Sequence, residues 1–222
     1  MSGGAPPEAA AALAKLGVSR ETLGALAAYL ETLTKWQKAI NLVGPATLKE
    51  AWTRHIVDSA QLLPLIPPDA RRLADLGTGA GLPGLVLAAL RPDLEVVLIE
   101  SDARKAAFLG EASRAMGLKN QPKITVSRIE ASPPAQADVV TARALAPLAR
   151  LLAWAAPHRA DPAICLFHKG KDWSSELTEA RRDWDIEAHP HPSVTDRDGV
   201  LLSITRYQPT SLCDRQPEGR RR

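Results

Sequence analysis

The sequence predicts an α/β protein: a mostly parallel, Rossmann-like sheet of seven strands, covered by helices. An antiparallel hairpin is expected at its C-terminal edge and a helical cap at its N-terminus. Three observations predict this. First, residues 71–84, Arg-Arg-Leu-Ala-Asp-Leu-Gly-Thr-Gly-Ala-Gly-Leu-Pro-Gly, read as a strand, a glycine-rich turn and the start of a helix. Second, strand-like apolar runs alternate with helical patterns through residue 181. Third, the last two strand-like runs have no crossover helix between them, so they should pair antiparallel.

Residues 1–17 are rich in Ala, Gly and Pro and are expected to be flexible, with a short helical run over 9–16. The cap spans 18–68. Ser19 is placed to cap its first helix, with Glu21 in the first turn. Leu23, Leu26, Leu30, Leu33, Trp36 and Ile40 recur every three or four residues, the apolar face of one long helix. Asn41-Leu42-Val43-Gly44-Pro45 ends it. Thr47-Leu48-Lys49-Glu50 has the capping-box pattern and opens a second helix, through Trp52, Ile56 and Leu62 to Leu65. Arg54, His55 and Asp58 lie on that helix, with Arg54 and Asp58 spaced to pair. The cluster reads either as an ion pair beside a half-buried imidazole or as a polar face over a ligand pocket.

The sheet domain is expected over 69–208. Its strands fall at 72–76, 95–100, 124–126, 138–141, 163–168, 184–188 and 199–207. Ser101-Asp102 can cap the helix over 103–116, and Gly117 closes it. Further helices are expected from 145 to 155 and over 174–181. Residues 209–222, with Arg215, Arg220, Arg221 and Arg222, read as a basic disordered tail.

Ligands of such sheets bind beyond the C-terminal strand ends, at the switch point. Gly77, Gly79, Gly81, Leu82, Glu100, Ile129, Glu130, Arg143 and Lys169 all fall there. Gly79-Ala80-Gly81-Leu82-Pro83-Gly84 matches the dinucleotide pattern by itself. Asp75 before the turn and Gly77-x-Gly79-x-Gly81 after it point instead to S-adenosyl-L-methionine. Glu100 would stand beside the turn, able to accept both ribose hydroxyls. A ligand-free loop explains one such glycine easily and four poorly.

Composition bounds the rest. A chain of 222 residues with 45% hydrophobic and 24% charged residues can bury a sizeable core without staples. Cys165 and Cys213 lack metal-ligand spacing, so neither a metal site nor a disulfide framework is expected, and a cytoplasmic location fits. No apolar run has the length of a membrane span. A net charge of +3 leans mildly toward a polyanionic partner.

An ordered set of motifs resembles one family, the bacterial 16S ribosomal RNA guanine-N7 methyltransferases of the small subunit, also called glucose-inhibited division protein B. The set comprises Trp36 with Asn41-Leu42, Arg54-His55-x-x-Asp58-Ser59, the turn from Asp75 to Gly84, and Glu100-Ser101 with Arg104-Lys105 and Phe108-Leu109. Arg128-Ile129-Glu130, Arg143-Ala144 and Lys169-Gly170 complete it. The resemblance implies a class I methyltransferase fold, S-adenosyl-L-methionine as cofactor, and methylation of N7 of one guanine in the 530-loop region of 16S RNA. It places cofactor contacts at Gly77, Leu82, Ile129, Glu130 and Arg143. The family often has Asp where this chain has Glu100. The expected partner is 16S rRNA, the small subunit or an assembly intermediate, and the chain is expected to be a monomer. Arg143, Lys169 and His55 are the candidate catalytic residues. Guanine N7 carries a lone pair and no proton, so the chemistry asks for alignment and electrostatics rather than a base. Three rivals share parts of the pattern: a nicotinamide dehydrogenase, an RNA-binding protein of the same fold, and a small-molecule methyltransferase.

Overall fold

The computed structural model describes residues 4–210. Seven strands, β1 (Arg72–Leu76), β2 (Glu95–Glu100), β3 (Lys123–Val126), β4 (Ala137–Arg143), β5 (Arg159–Lys169), β6 (Trp184–Pro192) and β7 (Val200–Pro209), form one sheet in the order β3-β2-β1-β4-β5-β7-β6. The first five run parallel. β7 returns antiparallel to β5, and β6 pairs antiparallel with β7 at the edge. Strand order reverses between β1 and β4, which is the switch point.

Alternate strand residues face opposite layers. Leu73, Leu98, Val139 and Leu166 belong to one buried cluster; Ala74, Ile99, Val140 and Phe167 belong to the other. Helices α1 (Pro7–Lys15), α2 (Arg20–Trp36), α3 (Asp58–Ala60), α4 (Gly84–Leu90) and α5 (Ala103–Ala115) lie with the first; α6 (Leu148–Ala155) and α7 (Trp173–Ala180) cover the second. The caps form as their residue types require. The Ser19 hydroxyl accepts from Thr22 N–H, and Asp102 accepts from the N–H groups of Arg104 and Lys105.

The short helical run expected over 9–16 is α1, and Ala9 and Leu13 bury it in the core shared by Leu26, Ile56 and Leu73. One sequence expectation is corrected here. The second cap helix is not one α-helix. It is a 3₁₀ turn (Pro45–Glu50), a π-helical turn (Trp52–Val57), α3 and a 3₁₀ turn (Leu63–Leu65). The capping box does not form: the Thr47 hydroxyl donates to the Gly44 carbonyl instead. The basic tail after Thr210, with Arg215, Arg220, Arg221, Arg222 and Cys213, lies outside the described residues. Among the described residues, no helix is long and apolar enough to cross a membrane, and no three or more His, Cys, Asp or Glu side chains cluster so as to hold a metal ion.

Candidate functional site

The turn after β1 is set by a buried carboxylate. Asp75 is fully buried, accepting from Thr78 Oγ1, from the Gly84 N–H at 3.0 Å, and from Thr141 Oγ1 on β4 at 2.8 Å. A Cβ at Gly84 would crowd Leu98 and the same carboxylate, so the helix can start there only with glycine. Desolvation raises the Asp75 pKa to about 6, against the pull of its hydrogen bonds. Gly79 has φ +58°, and a Cβ there would meet nothing nearer than the Gly77 carbonyl at 3.9 Å. The space above it is the cavity itself. From the cap side, the buried Tyr29 hydroxyl donates to the Ala80 carbonyl at 2.8 Å, fastening the turn to α2. Burial pushes that phenol far above its ordinary pKa.

A cavity of about 540 Å³ opens over this turn at the ends of β1, β2 and β4. Gly77, Gly79 and Leu82 line it, as do Glu100, Ile129, Glu130 and Arg143. Glu100 is buried. Its Oε2 accepts from Gly79 N–H at 2.9 Å, and its Oε1 accepts from Asp102 N–H at 2.8 Å. A carboxylate has about four acceptor sites, so each oxygen keeps one for a ligand. Ile99, Ile129, Leu145 and Trp154 supply apolar wall. A cavity lined by glycines, acidic side chains and apolar ones fits an adenosine-type cofactor.

A second pocket of about 280 Å³ adjoins the first. Thr47, His55 and Arg143 belong to the walls of both. Their hydrogen bonds run in one direction. Arg143 can only donate, so His55 Nδ1 accepts from its Nη2 at 3.0 Å and the ring proton sits on Nε2. Nε2 then donates to Thr47 Oγ1 at 2.9 Å, and Thr47 donates to the Gly44 carbonyl at 2.7 Å. Desolvation first, then the Arg143 charge, lowers the His55 pKa to about 4. The ring is neutral with both nitrogens engaged, which suits a strut and not a proton carrier.

The family model for rRNA small subunit methyltransferase G matches residues 22–200. The chain belongs to that family. Ribosomal RNA small subunit methyltransferase G of Paramagnetospirillum magneticum is 53% identical over 195 residues, covering 86% of this chain and 92% of that protein. Its namesake in Methylobacterium sp. (strain 4-46) is 51% identical over 199 residues, covering 87% of this chain and 92% of the relative. The fold is that of class I adenosylmethionine-dependent methyltransferases. A ribosomal protein L11 methylase from Lactobacillus delbrueckii subsp. bulgaricus superposes with TM-score 0.57 at 15% identity, covering 69% of this chain and 78% of that one. Cofactor-bound Rv0187 superposes with TM-score 0.52 at 18% identity, covering 91% and 98%.

In this methyltransferase the strand-end residues do converge, with two differences from the sequence reading. Gly81 sits beneath the turn, where a Cβ would strike Leu85 and Leu109, so it shapes the floor from below. Lys169 is not free for a phosphate. Its ammonium lies 2.6 Å from Glu176 Oε2 and donates to the Ala146 carbonyl at 3.1 Å, with the side chain 8% exposed. The Arg54–Asp58 pair is also corrected. Asp58 pairs with Arg143 at 2.7 Å, which β4 delivers to it, while Arg54 donates to the Thr195 carbonyl at 3.2 Å. Tyr29, Thr47, Thr141 and Trp154 were not singled out for the site. Each sits in an ordinary helix, turn or strand pattern, and only the packing of those elements together brings it to the turn or the cavity.

Proposed function

We propose that this methyltransferase transfers a methyl group from S-adenosyl-L-methionine to N7 of one guanine in the 530-loop region of 16S rRNA, in the cytoplasm. The observation that carries the reading is the pair of adjoining pockets with a shared Thr47–His55–Arg143 wall. The larger suits the cofactor, with Glu100 accepting the ribose hydroxyls and Gly77 and Gly79 letting the backbone approach. The smaller has room for a base brought out of its stack. The choice of guanine N7 rests on the motif resemblance and the family.

Bound adenosylmethionine supplies an electrophilic methyl: N7 forms the new bond with its lone pair, and the C–S pair stays on sulfur. No proton moves, so the neutral, doubly bonded His55 is consistent with the chemistry. Asp75 and Tyr29 hold the turn, Glu100 orients the ribose, and Arg143 partitions the two pockets. Rate enhancement then comes from alignment and from fixed charges. The substrate is 16S rRNA as such or within a small-subunit particle, met by a monomer.

The test is labelling of 16S RNA that lacks the modification with isotopic adenosylmethionine, followed by nucleoside analysis. The expected product is 7-methylguanosine at one guanine of the 530 loop. Methyl on ribose, carbon or an exocyclic nitrogen would refute the assignment. Labelling of a small metabolite in place of RNA would remove the RNA substrate altogether.

A further inference from the structure

One carboxylate organises the wall between the two pockets. Asp58 stands where the π-helical turn meets α3, and its oxygens serve different elements. Oδ2 accepts from Arg143 at the end of β4, at 2.7 Å. Oδ1 accepts from the Thr195 hydroxyl, 137 residues away in the chain, and from Gln61 Nε2 at 3.0 Å. Its backbone carbonyl accepts from His168 Nε2 on β5, at 2.8 Å. The same segment grips the β6–β7 loop at two more points. Gln61 Oε1 accepts from Val194 N–H at 2.9 Å, and Arg54 donates to the Thr195 carbonyl.

A solvent-facing ion pair would gain little from such geometry. This pair is mostly covered, with 17% and 18% of the Asp58 and Arg143 side chains exposed. Arg143 is further restrained by the Arg54 carbonyl at 3.2 Å and by His55. Ser193 and Asp196, on either side of Thr195, line the smaller pocket. Asp58 thus lines the smaller pocket, and through Arg143, which lines both, it is joined to the cofactor cavity.

We propose that Asp58 is a positioning residue that ties Arg143 to the 193–198 loop and so sets the separation between methyl donor and base. The role deepens the guanine reading and rests on it for its electrostatic part. Methyl transfer to N7 moves a positive charge from the donor's sulfur to the base. An unpaired guanidinium in the wall would oppose that charge as it arrives, and the Asp58 carboxylate offsets it.

The test uses the full chain and RNA that the wild type methylates. Thr195→Val keeps the shape and removes the donor, Thr195→Ser returns a hydroxyl, and Asp58→Asn removes the charge. We expect kcat to fall about tenfold in Thr195→Val and further in Asp58→Asn, with adenosylmethionine Kd within about threefold of wild type. Thr195→Ser should recover most of the rate. Adding Thr195→Val to Asp58→Ala, which leaves the Thr195 hydroxyl no acceptor at that position, should cost nothing more than Asp58→Ala alone, because both remove one contact. Multiplying losses, or a wild-type rate in Thr195→Val, would overturn the proposal. Amide exchange reads the same link without RNA. The Val194 N–H should exchange faster in Asp58→Asn and Thr195→Val, and unchanged protection in both would overturn the role. The wild-type product is judged separately. A nucleoside other than 7-methylguanosine defeats the guanine assignment, while the ratios between variants still decide the role of Asp58.

Discussion

At Glu100, two backbone N–H groups already occupy half of the carboxylate's acceptor capacity, and the rest faces the cavity. Glu100→Gln keeps the length but turns an amide N–H₂ toward groups that donate. A hydrogen bond to a charged group contributes about 1.5–3 kcal/mol, so cofactor affinity should fall roughly tenfold or more. Calorimetric titration of the folded variant measures this, and equal affinity would remove the ribose role. Gly79 offers a companion experiment. Its φ of +58° suits Asn better than Ala, while any side chain there enters the cavity. Both substitutions should abolish tight cofactor binding, but Gly79→Asn should keep a melting temperature nearer the wild type. If Gly79→Asn binds cofactor normally, the turn is not the cofactor's floor.

Among the elements, α2 carries the cap's main contribution to the site. Its apolar face packs on the sheet side of the molecule, with Tyr29 and Trp36 against Phe108 of α5 at ring-centroid distances of 6.3 and 6.0 Å. The Tyr29 hydroxyl reaches out of that packing to the Ala80 carbonyl. Tyr29→Phe leaves a buried carbonyl without its donor, which costs about 1–3 kcal/mol. Melting should drop by roughly 2–12 °C, and cofactor affinity should weaken because the turn loses its outer anchor. A variant that melts lower but binds cofactor as before would confine the bond to stability. The next element, the π-helical turn Trp52–Val57, carries His55 and leads directly into Asp58. Its i,i+4 spacing suggests a local Arg54–Asp58 pair, but strands and loops from 85 to 141 residues away supply the partners instead. Helical turns of this kind recur at functional sites, and nothing in the local residue pattern announces one.

Over the whole molecule, buried ionisable groups oppose one another in their pH dependence. Folded His55 has its pKa lowered to about 4, and His168 is lowered as well, both chiefly by desolvation. The unfolded chain therefore binds protons below about pH 6.5 that the folded chain refuses, and stability falls as pH drops from there toward 4. Asp75 acts the other way. Its folded pKa is raised to about 6, so its contribution is fully present below the unfolded value near 4 and is lost as pH rises through 6. His55→Gln should flatten the acid loss between about pH 7.5 and pH 5, and Asp75→Asn should steepen it. Parallel melting curves check both signs, and identical slopes would dismiss the titration of these groups. The strand–turn–helix around residues 71–84, the alternation of apolar runs and the edge hairpin were all legible in the chain. Each follows from local periodicity and glycine placement, which act over a few residues. So was the family, because its motifs are local and ordered. The partners of Asp58, Arg143 and Lys169, the packing of residues 7–15, and the places of Tyr29 and Trp154 were decided only by tertiary structure. Each joins residues far apart in the chain, and a charged or aromatic side chain takes whichever partner the sheet order delivers when water is excluded.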